Sequence, residues 1–257
     1  MNALRNSFLL LSLSALAITG CKHEAAPKSV ETAQSSPAPA VDPATAASIT
    51  GVVHFDGKAP ARVPIDMSMD PACAFSKDPN LSEQFVVTGG KLGNVFVYVK
   101  SGITPSQAPA GTTPVVLDQK GCRYLPHVVA VQQGGSVEFR NSDPTMHNIH
   151  TMPTTVGNEG VDISQAPMGQ PQTHQFKSPE TMLPVRCNNH PWMNAFVNVA
   201  PNPYFAVSGA DGSFTIQGLP PGNYTLAAVH EKLGEQDIQI TVAPKATASA
   251  SFAFTAK

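Results

Sequence analysis

The chain is short of charge. Asp, Glu, Lys and Arg make up 13% of its 257 residues, and 16 basic side chains against 18 acidic ones leave a formal net charge of −2. That balance removes the electrostatic case for a nucleic-acid partner, which needs a basic face. Beyond the first twenty residues the chain also lacks any apolar run near the roughly 20 residues that a membrane-spanning helix requires. No segment sustains the 3.6-residue hydrophobic period of an amphipathic helix. His230-Glu231 opens like the zinc-protease pattern H-E-x-x-H, but position 234 is Gly, so the second imidazole is missing and that chemistry is excluded.

What the chain does have is turns and short β-rich runs. It carries 19 Gly and 24 Pro. Strand signals stand at residues 49–55, 95–99, 128–131, 137–140, 195–199, 213–216, 224–229, 238–242 and 249–254. Asp56-Gly57, Gly134-Gly135, Asp211-Gly212 and Pro220-Pro221-Gly222-Asn223 punctuate them. Val137 and Phe139 alternate with polar neighbours, as in a half-buried strand. Residues 60–83 carry Pro, Asp and Ser throughout and read as irregular. The fold class expected is all-β.

The N-terminus reads as an address. Arg5 precedes an apolar run at residues 8–18, too short to span a bilayer and suited to a secretory signal over residues 1–20. Ile18-Thr19-Gly20-Cys21 resembles the bacterial lipobox, which implies a lipid on Cys21 and a place on the periplasmic side of the cell envelope. By the same resemblance, Lys22 after Cys21 favours the outer membrane. An ordinary signal peptide is the alternative. Residues 21–48 are rich in Ala, Pro, Ser and Thr and cannot bury a core, so a disordered tether is expected. About 210 residues are left to fold, enough for one large domain or two small ones.

Chemistry concentrates in Cys187-Asn188-Asn189-His190-Pro191-Trp192-Met193, where a thiol, an imidazole and a thioether recur at three-residue steps. Upstream lies Met146-His147-Asn148-Ile149-His150. Two imidazoles and one thiolate in a trigonal set, with a weak axial Met, form the ligand set of a blue-copper centre. A lone Cys would read as a buried thiol and a lone Met as core filler, but their spacing around His190 favours ligation. His147 or His150 must supply the second nitrogen. Trp192 faces either the core or a docking patch. Met146, Met152, Met168 and Met182 read either as packing or as a soft patch for Cu(I). His54, His127, His174 and His230 read as satisfied or solvated side chains.

The chain contains four cysteines. With Cys21 assigned to lipid and Cys187 to metal, Cys73 and Cys122 are left, and in an oxidising compartment two such thiols pair. A Cys73–Cys122 disulfide is therefore expected, with two isolated buried thiols as the alternative.

From residue 124 to 199 the chain resembles a cupredoxin, nearest to amicyanin-like members with a His-Asn-Val-His stretch and a Cys-x-x-His-x-x-Met loop. The resemblance implies a Greek-key β-sandwich over residues 111–201 holding one copper ion with His147, Cys187, His190 and Met193. It implies that His190 lies near the surface as the electron exit. Asn148 would hydrogen-bond backbone near Cys187. Pro191 would stiffen the loop. The long polar segment 153–172 departs from the family. A second resemblance, to the carboxypeptidase regulatory-like, transthyretin-type sandwich, rests on Asp211-Gly212-Ser213-Phe214, on residues 218–224, and on Ile49-Thr50-Gly51-Val52-Val53. It implies that residues 49–110 and 202–257 form a second sandwich, either split around the cupredoxin or arranged in tandem with it.

The expected function is single-electron transfer at the envelope, by a monomer with a redox partner protein. The alternative is a lipoprotein that sequesters or delivers copper. No enzyme is expected: Cys187 is flanked by Arg186 and Asn188 instead of a His wired to further copper, and the loop has no second Cys for a binuclear centre.

Overall fold

The computed structural model describes residues 41–74, 80–104 and 113–256. The expected signal segment, Cys21, most of the tether and the 110/111 boundary lie outside these residues. The described chain is all-β, with eighteen strands and no helix. In order they are β1 (Ala47–Asp56), β2 (Val87–Thr88), β3 (Lys91–Leu92), β4 (Phe96–Ser101), β5 (Val115–Gln119), β6 (Tyr124–Leu125), β7 (Val128–Gln132), β8 (Ser136–Asn141) and β9 (His147–Thr151). There follow β10 (Asp162–Gln165), β11 (Gln172–Gln175), β12 (Glu180–Arg186), β13 (Asn194–Ala200), β14 (Phe205–Val207), β15 (Ser213–Leu219), β16 (Gly222–His230), β17 (Gly234–Val242) and β18 (Thr247–Thr255).

Four sheets stack as layers around three cores. The outermost sheet runs β15-β1-β3-β2, with β18 parallel to β1. It faces the sheet β14-β4-β16-β17 across a core that includes Ile49, Val97, Leu226 and Phe252. The third sheet, β10-β9-β12-β13-β7, faces the fourth, β11-β8-β5-β6, across a core that includes Phe139, Ile149, Val185 and Val197. Phe96, Tyr98, Ala227 and Val229 of the second sheet meet Ala130 and Ala200 of the third in the middle core. The two sandwiches thus share an apolar interface.

This layering explains the hydrophobic patterns. In β4, Val97 and Val99 point into the first core while Phe96 and Tyr98 point into the middle one. A strand buried on both faces needs an unbroken apolar run, and residues 95–99 supply it. By contrast β18, in the outer sheet, alternates buried and exposed residues. Gly51 sits where β1 lies between β15 and β18: a Cβ there would fall 2.2 Å from the Ala250 carbonyl oxygen and 2.5 Å from the Phe214 ring.

The topology nests one sandwich within the other. β1 pairs with β15 and β18, and β4 with β14 and β16, so the two ends of the described chain build one sandwich. β5 to β13 build the other from one continuous stretch. Within that stretch, β10 pairs with β9, so the polar segment 153–172 supplies an edge strand of the sheet. Buried Glu180 ties its start: Oε1 accepts from the Thr154 N–H at 2.6 Å and Oε2 from Asn158 Nδ2 at 2.9 Å. The described residues of 60–83 form no strand, as expected, apart from one isolated bridge between Pro64 and Leu81.

Candidate metal centre

The loop 187–193 joins β12 to β13 and is closed by its own backbone. The Cys187 N–H donates to the Met193 carbonyl at 3.3 Å, and the Met193 N–H to the His190 carbonyl at 2.9 Å. The Asn188 N–H donates to Asn148 Oδ1 at 3.2 Å, pinning the loop to β9. Pairing of Arg186 with His150 aligns β9 beside β12, which brings His147 to the loop. Ligand atoms of His147, Cys187 and His190 all lie within 4.8 Å of one another. All three side chains are buried: His147 is 0% exposed, His190 3% and Cys187 4%. Cys187 is the free cysteine among the described residues.

Carboxylates decide which nitrogen of each ring faces inward. His147 Nε2 lies 2.8 Å from Asp143 Oδ2, and His190 Nε2 lies 2.8 Å from Asp70 Oδ2. Burial works against the Asp143 charge, but hydrogen bonds from His147 and from the Cys122 and Gly121 N–H groups hold its carboxyl below the usual carboxylate range. The bond from His190, followed by the Ala72 N–H, holds Asp70 below that range too. An ionised carboxylate only accepts, so each Nε2 donates a proton to its carboxylate and each ring turns its Nδ1 inward. The two Nδ1 atoms are 3.0 Å apart, and Cys187 Sγ is 3.6 Å from that of His190. At that separation the two Nδ1 atoms share a proton or, with the Cys187 sulfur, can hold a metal cation.

The charges of the pocket point the same way. Burial opposes the Cys187 thiolate, yet the His147 imidazole and the Asn148 and Asn189 backbone bring its pKa down to about 6. Burial also opposes a protonated His147, but Asp143 and Cys187 outweigh it and hold that group up at about 9. The pocket is a soft thiolate and two imidazole nitrogens in an enclosed site that favours positive charge. This donor set suits copper.

His190 departs from the surface position that the resemblance implied. It is buried, and the Asp70 carboxylate caps its outward nitrogen. Trp192 is half-buried, packed on His190 with ring centroids 5.1 Å apart, and its indole N–H donates to the Cys122 carbonyl at 3.1 Å. Met193 is 1% exposed and shares the core cluster of Cys187. Pro191 is exposed at the loop turn. His150 stays outside the pocket, its Nδ1 3.0 Å from Asn188 Oδ1.

Cys73 and Cys122 are joined by a disulfide with 5.6 Å between Cα atoms. Two further groups of potential ligands, Asp70-Cys73-His190 and Cys122-Asp143-His147, each include one of these bridged cysteines, so they reduce to the two carboxylate–imidazole pairs. Asp70 and Asp143 are absent from the sequence-based site. Asp143 stood four residues before His147, within reach of inspection, but Asp70 is 120 residues from its partner and carries no local signal.

No family model and no curated protein matches this sequence. Among solved structures, the chain is similar to the copper-containing nitrite reductase NirK from Thermus scotoductus SA-01, with 22% identity and a TM-score of 0.31 over 40% of this chain. It spans a quarter (25%) of that reductase. It is also similar to a reduced Cu(I) form of an amicyanin variant, with 20% identity and a TM-score of 0.31 over 41% of this chain and 98% of that one. A purple cupredoxin from Nitrosopumilus maritimus aligns at 20% identity and a TM-score of 0.28 over 33% of this chain and 98% of that one.

Proposed function

We propose that this protein carries single electrons through one copper ion held by His147, Cys187 and His190, with Met193 as the axial ligand. The observation that carries this reading is the convergence of two inward Nδ1 atoms on a buried, free Cys187 Sγ. When bound, copper supplies a one-electron Cu(I)/Cu(II) couple, for which soft sulfur suits the reduced state and imidazole suits both. The chain's own residues do the rest. Asp143 and Asp70 hold the rings in one tautomer and orientation, and the Asn148 contact holds the Cys187 backbone. A pocket held this way rearranges little between oxidation states.

Burial of His190 beneath Asp70 favours a second reading, in which the same cage stores or delivers copper. Electron transfer is the stronger reading because the trigonal donor set serves both oxidation states. We place the protein at the bacterial envelope through lipid on Cys21, and we infer a carrier instead of an enzyme because no His adjoins Cys187 to relay electrons to a further centre.

The test is copper analysis combined with visible absorption and voltammetry of the full chain. One bound copper, an intense thiolate charge-transfer band and a reversible one-electron wave are expected. A colourless protein that binds Cu(I) alone would transfer the conclusion to storage, and a protein that takes up no copper would end both readings.

A further inference from the structure

Among the described residues three methionines are strongly exposed: Met69 at 76%, Met168 at 68% and Met146 at 50%. Others are used as packing. Met67 is 6% exposed and its sulfur accepts from Asn80 Nδ2 at 3.0 Å, while Met193 is 1% exposed. The exposed three come from distant parts of the sequence, yet the fold gathers their segments. Thr145 Oγ1 donates to Asp70 Oδ2 at 3.4 Å, setting the residue before Met146 against the residue after Met69. The Asn141 side-chain amide donates to the carbonyls of Thr145 and Ala166, both at 2.9 Å. The Met168 N–H donates to the Asp143 carbonyl at 3.1 Å. Met168 itself has φ 51, a left-handed conformation that a long side chain adopts rarely.

We propose that Met69, Met146 and Met168 form a surface site for Cu(I), at the rim of the pocket that holds His147 and His190. Exposure of this extent is not packing. What distinguishes an exposed Met from Leu is its sulfur, a neutral soft donor that selects Cu(I) over harder cations. The position is specific as well: Met146 adjoins His147, and Met69 adjoins the carboxylate that holds His190 Nε2. Binding here moves no electron and releases no proton, because a thioether has none to lose. Its donors therefore take up no proton in competition with the metal, unlike those of a site built on a thiol. The site uses none of the four ligands proposed above, so it does not depend on that reading.

Anaerobic titration of Cu(I) into the full-length chain, against a bicinchoninate competitor, tests the proposal. Cys187→Ala should bind one Cu(I). The triple change Met69→Leu, Met146→Leu, Met168→Leu on that background should weaken that binding by about ten-fold or more with an unchanged melting temperature. X-ray absorption of the Cys187→Ala complex should show a sulfur-only shell. Failure of Cys187→Ala to bind Cu(I), or binding that survives the triple change, overturns the proposal. If the thiolate centre holds no copper, wild type and Cys187→Ala bind equally through the methionines, which separates the two conclusions.

Discussion

Asp70 places a carboxylate oxygen 2.8 Å from Nε2 of His190, although 120 residues separate the two in sequence. Asp143 does the same for His147, also at 2.8 Å. Asp70→Asn should lower copper affinity about ten-fold, toward the lower end of what such partners contribute, because its side chain is 26% exposed. Asp143→Asn should cost more, up to about 100-fold. One of its oxygens would become an amide facing the Gly121 or Cys122 N–H, so stability should also fall by about 1–3 kcal/mol. Competition titration and urea unfolding check the two effects separately.

Cys187→Ala should abolish the visible charge-transfer band. Met193→Leu should keep copper bound and raise the reduction potential, since the axial ligand tunes it. The swap conserves volume at a 1% exposed position and should cost less than about 1.5 kcal/mol. Voltammetry and thermal melts measure both, and loss of copper on Met193→Leu would refute the axial assignment.

The Cys73–Cys122 disulfide closes a separation of 49 residues. Removing such a constraint frees the unfolded chain by about 4 kcal/mol in the chain-entropy account. The bridge also joins the segment of Asp70 to Cys122, whose N–H bonds Asp143. A Cys73→Ser, Cys122→Ser double variant should therefore melt lower and bind copper more weakly. Unchanged affinity would show that the pocket keeps its carboxylates without the bridge.

His230 connects stability to pH. It is 2% exposed against Phe85 and Phe254, its Nδ1 accepts from the Lys232 N–H, and its Nε2 is buried without a partner among the described residues. Burial pushes its pKa down to about 4. The native state then binds this proton less readily than the unfolded chain, whose His titrates near about 6.5. Stability is full above that value and is lost as pH falls toward 4, by roughly 3 kcal/mol in all. His230→Phe should flatten this part of the acid limb, and urea midpoints between those pH values test it.

Gly51→Ala puts a methyl 2.2 Å from the Ala250 carbonyl oxygen, which belongs to backbone and cannot swing aside. A loss of about 3 kcal/mol is expected, with weakened pairing of β1 and β18, measurable by denaturation. An unperturbed midpoint would show that the outer sheet tolerates a shift between these strands.

Several elements were legible because their patterns are local. Residues 49–55, 128–131, 224–229 and 249–254 carry apolar runs or alternation, and each lies in a strand. β10 and β11, with sequences Asp-Ile-Ser-Gln and Gln-Thr-His-Gln, were not legible. They are short and largely solvent-facing, so they need little apolar content, and their place is set by pairing with β9 and β8.

By itself the sequence determined an all-β chain and a chemical inventory: a Cys-x-x-His-x-x-Met loop, and a histidine beside Asn148. Turn residues, apolar periods and donor spacing are written into neighbouring positions, so they can be read without coordinates. Only the tertiary structure decided that one sandwich nests within the other, that Asp70 and Asp143 hold the outward nitrogens, and that His190 is covered. These depend on contacts between residues as far as 199 positions apart. Such contacts are chosen by how whole sheets bury their faces, which no local pattern encodes.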